Sequence, residues 1–320
     1  MRKMKNQPLC PLSAEKQPAL DETGRRAKEE IVERKAKTQM KRKIYNAGLE
    51  YKPVEAIQGT GFCLMVDRRG VAHVEVGHEC YTVGSFYSFP GISIGTNALA
   101  DGESQCEERW KPGVRRVSDR QIEITAGGKY YRLVRTLSIE GHRVSIADSL
   151  TNVTAEDVGI LMGHKVVPSE KPVEIRIGGG PDPAQNATVE DDYEDRLRKG
   201  GTATSAPHDY LEWDTLPARP MTAENPTLFI ELDQSSLGVL AEDTISRLQF
   251  VGVVGQGWTG FSMRRFGLRH GESRTLCWAL YPLGEKADYF TFINQVRRDW
   301  RTNFTVQGPY SFFDVVQHHD

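Results

Sequence analysis

The residue types in this chain that can do chemistry are mostly tryptophan, arginine and carboxylate. Trp110, Trp213 and Trp258 stand alongside the Arg264-Arg265 pair, with Glu103 and Glu212 as carboxylates. An indole face stacks on the axial C–H face of a sugar ring, and guanidinium and carboxylate groups match sugar hydroxyls. The set therefore suits a carbohydrate surface. Hydrolysis of a glycosidic bond needs two carboxylates at a fixed separation, which spacing along a sequence does not supply. Asp191, Asp192, Glu194 and Asp195 form a dense acidic run, but without the D-x-[DN]-x-[DN]-G spacing of a calcium loop. A solvated loop is its ordinary reading.

Other chemistries are excluded by what the sequence lacks. The five cysteines, Cys10, Cys63, Cys80, Cys106 and Cys277, are scattered with no C-x-x-C or Cys/His ligand spacing. Reduced thiols and no metal are expected. G-x-S-x-G, Walker A, H-E-x-x-H and the dinucleotide fingerprint are all absent, so no cofactor is expected. Gly178-Gly179-Gly180 follows a strand but opens no helix, which a phosphate cradle requires.

The elements that must position these residues centre on Lys129 to Val167, which reads as three successive strands. Leu133, Leu137 and Ile139 share one parity, and Arg132, Thr136 and Ser138 share the other. Glu140-Gly141-His142 is a hairpin turn with a glycine for positive φ. Val144, Ile146 and Leu150 then alternate with Arg143, Ser145 and Ser149, and Thr151 to Asp157 is a polar connection. Val158, Ile160, Met162, His164 and Val166 line the buried face of the third strand. An antiparallel meander is the expected result. His164 falls on a core face, where a histidine satisfied by its neighbours is the common case.

Outside that stretch, residues 1 to about 20 read as a disordered lead and Asp21 to about Asn46 as a charged, solvated helix. β structure begins near Tyr51, and the aromatic, glycine-rich run from Tyr81 to Ile94 suits a bulged or edge strand. Ile175 to Tyr210 reads as a long irregular loop. Strands resume at Thr227–Leu232, Leu237–Leu240 and Leu248–Val253, with a last pair, Phe261–Phe266 and Arg274–Leu280, around His270-Gly271-Glu272. Asp288 to Trp300 reads as a helix with Tyr289, Phe292, Ile293, Val296 and Trp300 on one face, followed by Phe304, Phe312 and Phe313. Such a face normally docks on something, here its own chain or a partner.

Composition sets the wider limits. The 320 residues are 38% hydrophobic with a formal net charge of -2. That balance gives no electrostatic case for nucleic acid or an anionic membrane surface. There is no signal-type h-region and no apolar run of about 18 residues, so a soluble, by default cytoplasmic, chain is expected. The fold class is all-β: a large antiparallel two-sheet supersandwich over 49–283, with an N-terminal helical extension in 1–48 and a C-terminal helix and tail in 284–320.

The run SIEGHRVSIADSLTNVTAEDVGILMGHKV resembles the central strands of the galactose-mutarotase-like supersandwich. There a long strand leads into L-T-N-x-T and then into a strand carrying a histidine. The ending LRHGESRTLCWALYP, with DYFTFINQVRRDWRTNFTVQGPYSFF after it, is similar to the N-terminal sandwich domains of glycoside-hydrolase-related proteins. The resemblance implies that His164 is the counterpart of a general acid on the sugar ring oxygen, but Lys165-Val166-Val167 replaces the family's Tyr-Phe-Asn. A carboxylate base would also be needed, for which Glu242 and Glu272 lie late enough in the chain. Three functions follow. One is a non-catalytic domain that binds glycan or packs against a glycosidase-type barrel. Another is a mutarotase-like epimerase using His164 and a late glutamate. The third is an assembly domain docking through residues 286–320.

Overall fold

The structure is a computed structural model that describes residues 52–90, 95–100, 106–180, 202–206, 221–222, 225–255, 258–284 and 287–302. The chain divides into two compact units, Met1–Arg42 and Lys43–Asp320, and every described residue belongs to the second. The expected N-terminal helix, the acidic run at 191–195, the aromatic tail from Phe304 and the candidates Glu103, Glu212 and Trp213 lie outside the described residues.

The strands are β1 (Pro53–Gln58), β2 (Cys63–Asp67), β3 (Ala72–Val76), β4 (Glu79–Phe89), β5 (Gly95–Leu99), β6 (Gly113–Ser118), β7 (Gln121–Gly127), β8 (Tyr131–Glu140) and β9 (Arg143–Asn152). They continue as β10 (Val158–Pro168), β11 (Glu174–Ile177), β12 (Thr202–Ala206), β13 (Met221–Thr222), β14 (Thr227–Glu231) and β15 (Ser236–Ala241). Helix α1 (Thr244–Gln249) precedes β16 (Val251–Gly255), β17 (Trp258–Leu268) and β18 (Ser273–Leu283), and α2 (Tyr289–Asp299) closes the described chain. A large sheet runs β1-β2-β3-β4-β10-β17-β16-β12-β13, with β5 also paired to β4; a smaller one runs β11-β14-β15-β18-β9-β8-β7-β6. Pairing is antiparallel except for β12 with β13. The fold is the all-β, two-sheet sandwich expected from the alternation.

The alternation places the core. Leu133, Leu137 and Ile139 of β8, Val144, Ile146 and Leu150 of β9, and Val158, Ile160, Met162 and Val166 of β10 all join one buried cluster. Gly141, at φ 65°, makes the β8–β9 hairpin.

Three local expectations are corrected. β10 does not complete a meander with β9, but crosses to the large sheet and lies between β4 and β17. Periodicity assigns a strand one buried face, which either sheet of a sandwich serves equally well. For the same reason β17 and β18 are not partners: the turn at Gly271 carries the chain from the large sheet to the small one. The strand expected from Leu248 is interrupted. Thr244–Gln249 is helical because Asp243 caps it, accepting from the Ile245 N–H (2.8 Å) and the Ser246 N–H (2.9 Å), and β16 starts only at Val251. The stretch read as irregular also holds β11 and β12.

Helix α2 docks on its own sandwich. Asp288 caps it by accepting from the Thr291 N–H at 2.7 Å. Tyr289, Phe292 and Val296 are buried against Phe229, Leu240, Ala279 and Tyr281 on the outer face of the small sheet. Gly238 makes room, since a Cβ there would lie 2.3 Å from the Phe292 ring. The triple glycine is explained in the same way: Gly179, at φ 80°, passes beneath the Tyr289 ring.

Candidate functional site

His164 lies sealed between the sheets at 3% exposure. Its Nδ1 is 2.8 Å from Ser85 Oγ, and its ring packs against Trp278 at 4.6 Å and Phe261 at 4.7 Å. Burial drives its pKa down to about 3, with Asp148 pulling up and Arg135 pushing further down. Imidazole in this place is neutral at any ordinary pH.

Beside it lies a buried charge pair. Arg135 and Asp148 sit directly opposite each other across β8 and β9, both on the inward parity. Arg135 Nε donates to Asp148 Oδ1 at 2.6 Å, and its Nη2 donates to Asp148 Oδ2 (2.7 Å), Tyr87 Oη (2.7 Å) and Ser85 Oγ (2.8 Å). Trp278 Nε1 and Tyr87 Oη complete the shell around Asp148, each at 3.3 Å. Burial opposes both charges. Arg135 nevertheless holds Asp148 below the usual carboxylate range, and Asp148 with Tyr87 holds Arg135 above its ordinary value. This network joins β4 and β10 of one sheet to β8, β9 and β18 of the other.

The other expected residues are dispersed. Trp110 is buried, donating its Nε1 to the Ala98 carbonyl at 2.9 Å and packing on Tyr131. Glu242 is ion-paired with Arg143 on the outer face of the small sheet, away from His164. Trp258, half-buried, carries the Lys165 ammonium 4.6 Å over its ring. Arg265 lies seven residues further along β17, roughly 23 Å in an extended strand. The tryptophan and the arginines are therefore separate features. Glu272 stands just before β18, six residues from Trp278 and so roughly 20 Å from the neighbourhood of His164.

Glu272 and Arg265 do come together, in a cleft of about 620 Å³ at the rim of the sandwich, within the usual size range of small-molecule sites. Its base is the place where the chain changes sheets twice. Asn152, buried, holds the two crossovers together. Its Nδ2 donates to the carbonyls of Glu156 (2.7 Å) and Arg269 (3.0 Å), and its Oδ1 accepts from the Thr154 N–H at 2.8 Å. The T-N-x-T spacing is thus a structural knot. Asp157 Oδ1 accepts from the His270 N–H at 3.1 Å and adds a further tie.

One wall of the cleft is α1, through Ile245 and Gln249; the other is β17. The register of β17 on β10 jumps from Met162↔Met263 to Ile160↔Phe266, so Arg264 and Arg265 face the single residue Leu161. This bulge turns both arginines outward and detaches backbone groups from the ladder. Gln249 satisfies them: its Oε1 accepts from the Arg265 N–H at 3.1 Å, and its Nε2 donates to the Arg265 carbonyl at 3.2 Å. Glu272 accepts from the Arg269 N–H at 2.9 Å and from Arg274 Nε at 2.7 Å, which together lower its pKa. Of the residues lining the cleft, Gln249, Asp157, Arg269 and Arg274 escape the sequence reading. The run RRFGLRHGESR, with four arginines bracketing a turn, is the signal that points to two of them, Arg269 and Arg274.

Among the described residues no group of three or more His, Cys, Asp or Glu side chains is placed to hold a metal, and no helix is long and apolar enough to cross a membrane.

No family model and no curated protein matches the chain. Solved structures do. A galactose mutarotase related enzyme from Lactobacillus acidophilus is similar at 8% identity and TM-score 0.44, covering 72% of this chain and 97% of its own. An assigned aldose 1-epimerase from Escherichia coli K12 is similar at 11% identity and TM-score 0.41, covering 72% and 98%. A sulfoquinovosidase of the GH31 family from E. rectale is similar at 6% identity and TM-score 0.32, covering 77% of this chain and 34% of its own. These structures fall in the grouping that the sequence resemblance points to, mutarotase-like sandwiches and their glycoside-hydrolase relatives. At such identities and scores the likeness says nothing about activity.

Proposed function

We propose that this chain is a carbohydrate-associated sandwich domain that binds glycan without transforming it. The observation that carries the non-catalytic part is the burial of His164. At 3% exposure, with its Nδ1 engaged by Ser85 and its pKa near 3, it has neither access to a sugar nor a proton to give near neutral pH. Glu242 and Glu272 are each engaged by an arginine and stand apart from it. The carbohydrate part is supported by the sandwich fold, by the mutarotase-like motifs in the sequence, and by the open cleft at the rim. The Tyr289, Phe292 and Val296 face of α2 is not a free docking surface, since the chain itself covers it, whereas Phe290 and Trp300 remain exposed.

The test has two arms on the purified chain. Titration with a panel of neutral and acidic oligosaccharides, followed by calorimetry, should give saturable binding to at least one glycan. Polarimetry of α-galactose and α-glucose should show no acceleration of mutarotation. A rate that rises with protein concentration and disappears in His164→Gln would overturn the non-catalytic reading. An absence of binding across the panel would overturn the glycan reading.

A further inference from the structure

The hydrogen-bonding capacity still open in the rim cleft points to one kind of ligand. Each acceptor and amide side chain named above in its walls has work to do within the fold. Gln249 uses both ends of its amide on the backbone of the bulge. Asp157 accepts from the His270 N–H. Glu272 offers one oxygen to the Arg269 N–H and the other to Arg274, whose guanidinium it neutralises at 2.6 Å. One oxygen of the exposed Asp157 carboxylate and two cationic groups are left, so the cations outnumber the open acceptor. Among the described residues, neither the Arg265 nor the Arg269 guanidinium makes a hydrogen bond or an ion pair, although the Arg269 charge acts on Glu272 through space. Both residues are exposed.

A guanidinium has donors and no acceptor. A neutral sugar presents hydroxyls that must both give and receive, and a site for it normally pairs donors with acceptors. The aromatic ring lining the cleft, Phe266, is 6% exposed and offers no stacking face. A ligand with its own negative charge and its own acceptors fits what remains, because carboxylate and sulfate oxygens match the planar fork of arginine. We infer that this cleft takes an acidic sugar unit, one bearing a carboxylate or a sulfate, with Arg265 and Arg269 as its anchors. This rests on the glycan-binding reading and names the class of glycan and the place where it binds.

The experiment is calorimetry on the full chain in low-salt buffer. The probes are trigalacturonate, a hyaluronan hexamer and a chondroitin sulfate hexamer, with methyl-esterified trigalacturonate and inorganic sulfate as controls. At least one acidic oligosaccharide should bind. Its affinity should fall about tenfold or more in Arg265→Gln/Arg269→Gln, and by a comparable factor at high salt, where charge pairing is screened. Both positions are exposed, so the double variant should keep the wild-type melting temperature, which is measured alongside.

The inference is overturned if no acidic oligosaccharide binds, or if binding is unchanged in the double variant. Equal binding of the esterified trimer would overturn the acidic-sugar assignment while leaving glycan binding in place. If inorganic sulfate binds as tightly as the oligosaccharides, the cleft is an anion site without sugar recognition, and the assignment again fails.

Discussion

Arg135 between the sheets and Arg265 at the rim are both on long strands, yet the fold treats them oppositely. Arg135 makes four hydrogen bonds to Asp148, Tyr87 and Ser85 and has no exposure. Arg265 is solvent-facing on a bulge, and only its backbone is tied down, by Gln249. A charge in the interior is tolerable only when an opposite charge is paired with it, because desolvation of each ion is expensive; Asp148 does this for Arg135, although Arg135 Nη1 is buried without a hydrogen-bond partner. A charge at the rim needs no partner in the folded state and is available for a ligand. The motif histidine belongs to the first region. What draws attention to it in the sequence, a polar residue on an apolar face, is the mark of a structural network.

The comparison is broken most forcefully by removing one half of the buried pair. Asp148→Ala leaves Arg135 charged and uncompensated, and should cost about 3–5 kcal/mol in denaturant unfolding or prevent folding altogether. The double change Arg135→Met/Asp148→Leu should recover most of that loss, since an apolar pair of similar volume removes the desolvation penalty with the charges. A double variant as unstable as the single one would mean that Ser85, Tyr87 and His164 depend on the ion pair for their own placement. At the rim, Glu272→Gln should leave the unfolding midpoint where it is.

Phe292→Ala tests whether α2 is part of this fold. Its ring fills the groove above Gly238 between Phe229, Tyr281 and Tyr289, and truncation should cost about 3–5 kcal/mol. A helix held only loosely would give a loss below about 1 kcal/mol and would reopen residues 286–320 as a partner surface.

The interior should also give the protein its acid sensitivity. The folded-state pKa of His164 is depressed to about 3, and so is that of His73, driven by burial and then by Arg69. The unfolded chain protonates both near 6.5, so it binds more protons than the folded one between those limits. Their contribution to stability is complete above about pH 6.5 and is lost as pH falls towards 3. The slope should approach about 1.4 kcal/mol per pH unit for each histidine. Asp148, also depressed, adds to the loss only below its ordinary value near 3.8. Unfolding midpoints measured from pH 7 to pH 4 should show this slope, and His164→Gln should reduce it by about half. An unchanged slope would place the acid sensitivity elsewhere.

Much of this was open to a reading of the sequence, and the misses have physical causes. Alternation located the strands and put His164 inside, but it could not say which sheet a strand joins, because both sheets bury the same kind of face. The buried pair was within reach. With Gly141-His142 as the hairpin loop, positions that sum to 283 face each other, and Arg135 and Asp148 are such a pair on the inward parity. A pattern of apolar residues alone does not reveal it, because the pair is charged and stands between them. The cleft was less accessible. It depends on two crossovers lying side by side and on a six-residue helix whose signal is the Asp243 cap, and none of these leaves a periodic trace. Trp110 and Trp258 suit stacking by residue type, but a tryptophan fills a core or covers a lysine stem as readily as it meets a sugar.

The smallest effect expected sharpens the comparison most, because it separates position from stability at the rim. Gln249 touches Arg265 only through the backbone of the bulge, yet those two bonds fix where the bulge sits between α1 and β17. Gln249→Ala should cost about 1 kcal/mol or less, since water can reach the freed N–H and carbonyl. It should nevertheless weaken the acidic-oligosaccharide binding assigned to the cleft, because Arg265 then has a mobile base from which to reach its ligand. Calorimetry and thermal melting on the same sample read both quantities. A variant that melts and binds as the parent does would show that the bulge holds Arg265 unaided. A large loss of stability would make Gln249 a structural bond of the same rank as those around Asp148, and the contrast between a closed interior and an adaptable rim would fail at this residue.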